Sequence, residues 1–100
     1  MMFTIRSGSM TAVIDSIGAQ LMSLQSVDGT QYLWQGDPKY WPDRSLTIFP
    51  YVARLTDGCY RYRGGLYHMP IHGFAPTAEF SVAEQTDAAI TFVLESCPAF

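Results

Sequence analysis

The chain has few cysteines, few charges and no long apolar run, and each scarcity removes a class of function. Cys59 and Cys97 are the only two cysteines in 100 residues, far apart and without the spacing of a metal site. With no export signal in Met1 to Arg6, two isolated thiols read as free and reduced, and a cytoplasmic location is expected. Charged residues make up only 15%, and the net charge is -3 with a pI near 5.0. The six basic residues are scattered, apart from Arg61 and Arg63 on either side of Tyr62. Phosphate tracking needs a basic patch, so no nucleic-acid partner is expected, and the arginine pair reads as an exposed strand end. No stretch reaches the roughly 18 apolar residues of a membrane helix, so no membrane partner is expected either. Phosphate-cradling glycine loops, HExxH, CxxC and GxSxG are all absent, and no cofactor or metal is expected.

What the chain does have is apolar and aromatic. It is 48% hydrophobic and 14% aromatic, with six Tyr and six Phe, which excludes intrinsic disorder and favours strands over a helical bundle. A chain this long buries roughly 65% of its unfolded surface, so residues 1–100 read as one domain with a core. Met2 to Arg6 alternates and is broken by Ser7-Gly8-Ser9. Met10 to Asp15 alternates again, with Thr11, Val13 and Asp15 on one face and Ala12 and Ile14 on the other. After Gly18, Ala19, Leu21 and Ser23 oppose Gln20, Met22 and Leu24.

Asp28-Gly29 predicts a hairpin between Leu24–Val27 and Gln31–Trp34, and Gly64-Gly65 another between Tyr60–Tyr62 and Leu66–Met69. A last pair, Phe80 to Gln85 and Ala89 to Leu94, is joined by Thr86-Asp87-Ala88. Strands at such short intervals predict an antiparallel all-β sandwich. Gly36 to Pro50 holds three prolines and predicts an ordered loop, with one helical turn over Pro38 to Trp41.

Three polar residues stand out: Arg54, His68 and His72, with Asp37, Asp43 and Asp57 behind them. Pro70 stiffens the approach to His72, and Gly73 lets another group come close to the backbone. His72 is either a structural histidine capping a turn or an imidazole poised to donate to a ligand oxygen or share a proton. Arg54 ends the run Ile48–Ala53 and is either a snorkelling edge residue or a fork of donors aimed into a cleft. His68 reads as a surface strand residue and Asp57-Gly58 as a turn. Asp43 reads as an ion-pair partner of Arg44 or another base, with no chemistry assigned.

Several segments resemble the aldose 1-epimerase (galactose mutarotase-like) family. Gly18 to Leu24 (GAQLMSL) is similar to its GA-x-L-x-S-L strand, and Tyr32 to Pro42 (YLWQGDPKYWP) to its YLWQGDPxYWP segment. Phe49 to Leu55 (FPYVARL) and Pro70 to Ala75 (PIHGFA) resemble its FPxVGRL and LPxHGFAR blocks. The resemblance implies a large antiparallel β-sandwich that binds a hexose and interconverts its α and β anomers. One group takes the proton of the anomeric hydroxyl while another protonates the ring oxygen, and each contributes about 10²- to 10⁴-fold.

Carried over by position, Arg54 matches the arginine that contacts sugar hydroxyls, and His72 the first of two active-site histidines. The sequence departs from the pattern at Ala53, where glycine is usual, at Pro76, where arginine is usual, and at Ile71, commonly polar. Loss of that arginine fork argues against a phosphorylated sugar.

The resemblance also places the second histidine and the catalytic glutamate downstream of Phe100, leaving about two-thirds of the sandwich outside these residues. An open sheet edge and a bare apolar face then predict a homo-oligomer and little turnover from these 100 residues alone. The alternatives are a carbohydrate-binding or interaction domain without turnover, and a structural fragment.

Overall fold

A computed structural model describes residues 1–97. Among the described residues seven strands form three separate antiparallel sheets: β1 (Met2–Ser7), β2 (Met10–Asp15) and β3 (Gln20–Ser26); β4 (Cys59–Tyr62) and β5 (Gly65–His68); β6 (Ser81–Gln85) and β7 (Ile90–Val93). Two short 3-10 turns, Thr56–Gly58 and Ala75–Thr77, are the helical elements among the described residues, and no helix there is long and apolar enough to cross a membrane. The all-β antiparallel expectation therefore holds.

In the first sheet Phe3 lies opposite Ile14 and Ile5 opposite Ala12, so these four share a face, as directly opposed antiparallel residues do. Simple alternation puts Leu21 and Leu24 on opposite faces of β3. Instead the register slips between Val13 and Ile14, leaving Met22 as an extra residue, so Leu24 opposes Ala12 and Leu21 opposes Ile14. The bulge lets both leucines serve the apolar side.

The second hairpin is displaced by one residue from the expected turn. Tyr62 pairs with Gly65, which leaves Arg63 (φ 48°) and Gly64 (φ 80°) as the two turn residues. Two consecutive positive φ values are what a primed two-residue turn demands.

The Asp28-Gly29 turn forms, but the strand expected at Gln31–Trp34 does not. Only Gln31 bridges back to Gln25, through Ser26 N donating to Thr30 O at 3.0 Å and Tyr32 N donating to Leu24 O at 2.8 Å. Beyond that, the Gln31 side chain replaces the ladder: its Oε1 accepts from Leu24 N (2.8 Å) and Leu33 N (3.1 Å), and its Nε2 donates to Ser23 Oγ at 2.8 Å. Once Leu24 N is satisfied by an amide side chain, the following residues are free to turn away.

The 36–50 segment is an ordered loop as expected. Asp37 O accepts from Tyr40 N and Trp41 N, each at 3.0 Å, and its Oδ1 accepts from Lys39 N at 3.0 Å, giving the single helical turn. Side chains fasten the loop to β3: Arg44 Nη1 donates to Met22 O (2.8 Å) and Gln35 Oε1 (3.1 Å), and Ser45 N donates to Gln20 Oε1 at 3.1 Å. Arg44 is thus committed elsewhere, and the expected pairing with Asp43 does not form. The one ion pair among the described residues joins the Met1 amino group to Asp15 at 3.4 Å.

The sheets are tied at a few points. Phe3 meets Phe92 edge to face at 5.7 Å, and Arg6 N donates to Asp87 O at 2.6 Å. Phe80 N donates to Ser16 O (2.9 Å) and Gly18 N to Ala78 O (2.7 Å). The core is thin: Ile14 and Ala75 are its buried apolar residues, beside buried Ser16, whose hydroxyl donates to Glu79 at 2.7 Å. The molecule is a slab of 55 × 35 × 17 Å. Its surface is 7228 Å², against about 5,700 Å² for a compact monomer of this mass.

Candidate functional site

The segment Pro70–Gly73 closes on itself, with Gly73 N donating to Pro70 O at 3.0 Å. His72 occupies the third turn position with φ 63°, a slot that favours glycine or asparagine. Two bonds hold it there. Ala53 N donates to His72 Nδ1 at 3.0 Å, and His72 N donates to Ala53 O at 3.0 Å. Ala53 is itself left-handed at φ 67°, so the residue standing where the resembling family has glycine adopts the conformation glycine tolerates best. Two non-glycine residues held reciprocally in this region are the local strain that binding sites commonly store.

Gly73 makes the arrangement possible. Phe49 N donates to His72 O at 3.2 Å, Ala75 N donates to Phe49 O at 3.2 Å, and Phe49 bridges Gly73 in parallel next to the cis Phe49-Pro50 bond. A Cβ on Gly73 would lie 2.0 Å from Phe49 O and 2.4 Å from its carbonyl carbon. The close backbone approach expected at this glycine is therefore present.

The bond from Ala53 N fixes the tautomer. Nδ1 must offer a lone pair, which assigns a neutral imidazole with its proton on Nε2. Such a ring can donate from Nε2 to an oxygen.

His72 lines a cleft of about 470 Å³ together with Gln20, Trp41, Asp43, Leu46 and Pro76. Pro76 faces this cleft where the resembling family has arginine, so that wall has no guanidinium. Arg54 follows Ala53 directly but is exposed and outside the cleft lining, and its guanidinium makes no hydrogen bond or ion pair among the described residues. His68 is exposed on β5, as expected of a surface strand residue. Asp57 sits in the Thr56–Gly58 turn at φ 58°.

Sequence reasoning passed over Gln20 and Trp41, and it kept Asp43 only as a lesser candidate, an ion-pair partner with no chemistry assigned. Trp41 lay within the ordered loop. Their convergence depends on the fastening of the loop to β3. A separate apolar cavity of about 460 Å³ is lined by Ile48, Phe49, Phe74, Ala75, Phe80 and Leu94, among others. No group of three His, Cys, Asp or Glu among the described residues is placed to hold a metal ion.

Comparisons with known proteins place these features in a family. A galactose mutarotase related enzyme from Lactobacillus acidophilus superposes with a TM-score of 0.94 at 35% identity, over 99% of this chain and 33% of that one. A galactose mutarotase-like protein from Lactobacillus casei ATCC 334 gives 0.93 at 32% identity, over 99% of this chain and 34% of that one. Protein LacX (plasmid) of Lactococcus lactis subsp. lactis is 30% identical over 102 residues, 95% of this chain and 33% of that protein. The chain thus spans about a third of the length of these relatives. The sequence profile of the aldose 1-epimerase family matches residues 1–99, and the chain belongs to that family.

Proposed function

We propose that this chain carries one wall of a mutarotase site, that its ligand is a neutral hexose, and that His72 is the catalytic group that donates a hydrogen bond to the ring oxygen. The observation that carries the reading is the bond from Ala53 N to His72 Nδ1, which leaves Nε2–H as the free end of an imidazole on a cleft. Ring opening of a hexose needs a proton taken from the anomeric hydroxyl and another delivered to the ring oxygen. Nε2–H hydrogen-bonds the ring oxygen and polarises it as the ring opens, while the proton itself comes from water and returns to water on closure, because the neutral ring keeps its own N–H. Arg54, next to the hydrogen-bonded Ala53 in sequence but outside the cleft lining, is the residue proposed to donate to sugar hydroxyls. It stays protonated and orients rather than accepts. A cleft lined by Asp43 and by no cationic side chain favours an uncharged sugar over a phosphorylated one.

A second reading is a carbohydrate-binding domain without turnover. It is favoured by the position of His68, the other imidazole of the chain, which is exposed on β5 and outside the cleft. Both readings require sugar binding at His72. Titration with D-galactose and D-glucose, followed by the imidazole NMR signals, should move His72 and leave His68 still, and His72→Ala should weaken binding at least tenfold. Signals of His72 unmoved by either sugar at saturating millimolar concentrations would refute both.

A further inference from the structure

Residues 41–45 are held at both ends, yet two of their side chains are left idle. Trp41 is anchored through its backbone: its N donates to Asp37 O at 3.0 Å, and its O accepts from Trp34 Nε1 at 2.8 Å. Trp34 in turn meets Tyr40 edge to face at 6.4 Å. On the other side of Asp43, Arg44 and Ser45 are both bonded to groups of β3 or its neighbours. Between these anchors the Trp41 indole and the Asp43 carboxylate have no hydrogen-bond, ion-pair or ring partner among the described residues, and both line the His72 cleft. Trp41 is 62% exposed, which for a large aromatic on a segment this firmly fastened leaves a rigid apolar plate facing solvent. Gln20 lines the same cleft and spends its Oε1 on Ser45 N, so its NH₂ remains to donate.

We propose that Trp41 and Asp43 form a sugar-recognition lip on this cleft. The proposal rests on the hexose reading above and extends it to residues that decide which hexose is held. The indole covers the apolar C–H face of the pyranose. The Asp43 carboxylate, an acceptor only when ionised, accepts hydrogen bonds from two ring hydroxyls. A bare aromatic plate beside a few convergent polar groups is the usual composition of a small-molecule site. The negative charge on Asp43, with no cation in the lining, makes the lip repel phosphate and carboxylate substituents. Asp43 therefore both anchors a neutral hexose and discriminates against a charged one.

The test compares D-glucose with D-glucose 6-phosphate on the 100-residue chain and on Asp43→Asn, Trp41→Phe and Trp41→Ala, with dissociation constants read from amide and indole NMR shifts. Each variant is first required to keep the Ala53 and His72 amide signals of the parent, which shows that the cleft is intact. The expected results are preference for glucose over its phosphate in the parent, and a loss of about tenfold in glucose affinity in Asp43→Asn. The same variant should narrow the discrimination, and Trp41→Ala should weaken both ligands more than Trp41→Phe does. Glucose binding that neither Asp43→Asn nor Trp41→Ala changes would overturn the lip while leaving the His72 reading intact. Failure of the parent to bind glucose at all would overturn both.

Discussion

Gly73 and Ala53 sit on the same patch of backbone, and their substitutions should act in opposite directions. At Gly73 a Cβ would lie 2.0 Å from one backbone oxygen and 2.6 Å from the Pro50 nitrogen, and the φ of 80° adds strain. Gly73→Ala is expected to cost about 3 kcal/mol or more, because backbone has to move on both sides. Ala53 has no such crowding to preserve but carries a left-handed φ of 67°. That conformation costs a non-glycine residue about 1–2 kcal/mol, partly offset by the greater freedom glycine gains when unfolded. Ala53→Gly should therefore stabilise by up to about 1 kcal/mol, and urea denaturation of the pair reads both. At this scale the sequence was informative where the signal is local. Pro70 and Gly73 marked His72, and the glycine's close approach was expected. The amide that fixes the His72 tautomer lies nineteen positions away, and Asp43 joins the cleft only through the fastening of its loop, so neither could be read from neighbours in the chain.

Strands and turns followed their periodicity, and the departures have specific causes. The Gln31 side chain satisfies Leu24 N and so ends the sheet where alternation through Trp34 argued for a strand. Two adjacent glycines left the second turn ambiguous by one position, and pairing of Gly65 with Tyr62 decided it. The Asp28 turn makes a prediction of its own. Its carboxyl is lowered from 3.8 to about 2, chiefly by the Ser26 hydroxyl and next by Thr30 N, which donates to Oδ1 at 3.0 Å. A folded-state value below the unfolded one means the contribution is fully present above about pH 4 and is lost as pH falls through about 2. The Thr30 amide shift should titrate with a midpoint near 2 and lose that transition in Asp28→Asn. A midpoint at 3.8 would show that the turn bonds do not hold the carboxylate in solution.

The molecule as a whole has more surface than its mass warrants. The excess over a compact monomer is about 1,500 Å², against roughly 800 Å² per partner in a standard interface. Its radius of gyration of 16.3 Å exceeds the roughly 13 Å of a compact 100-residue domain. Exposed Trp41, Phe49 and Val52 belong to this surplus. The isolated chain should therefore self-associate, and sedimentation at tens of micromolar, roughly where contacts of this kind matter, should show a dimer or larger species. A stable monomer there would contradict that expectation. On the proposed reading, these residues offer a hexose the His72 hydrogen bond to its ring oxygen without the base that takes the anomeric proton. Polarimetry of freshly dissolved α-D-galactose tests it directly. The 100-residue chain should hold the rate close to that of buffer, with the loss of the second group worth on the order of 10²-fold or more. A rate well above buffer that His72→Ala abolishes would contradict the claim, because the chain or its oligomer would then already hold both ends of the proton transfer.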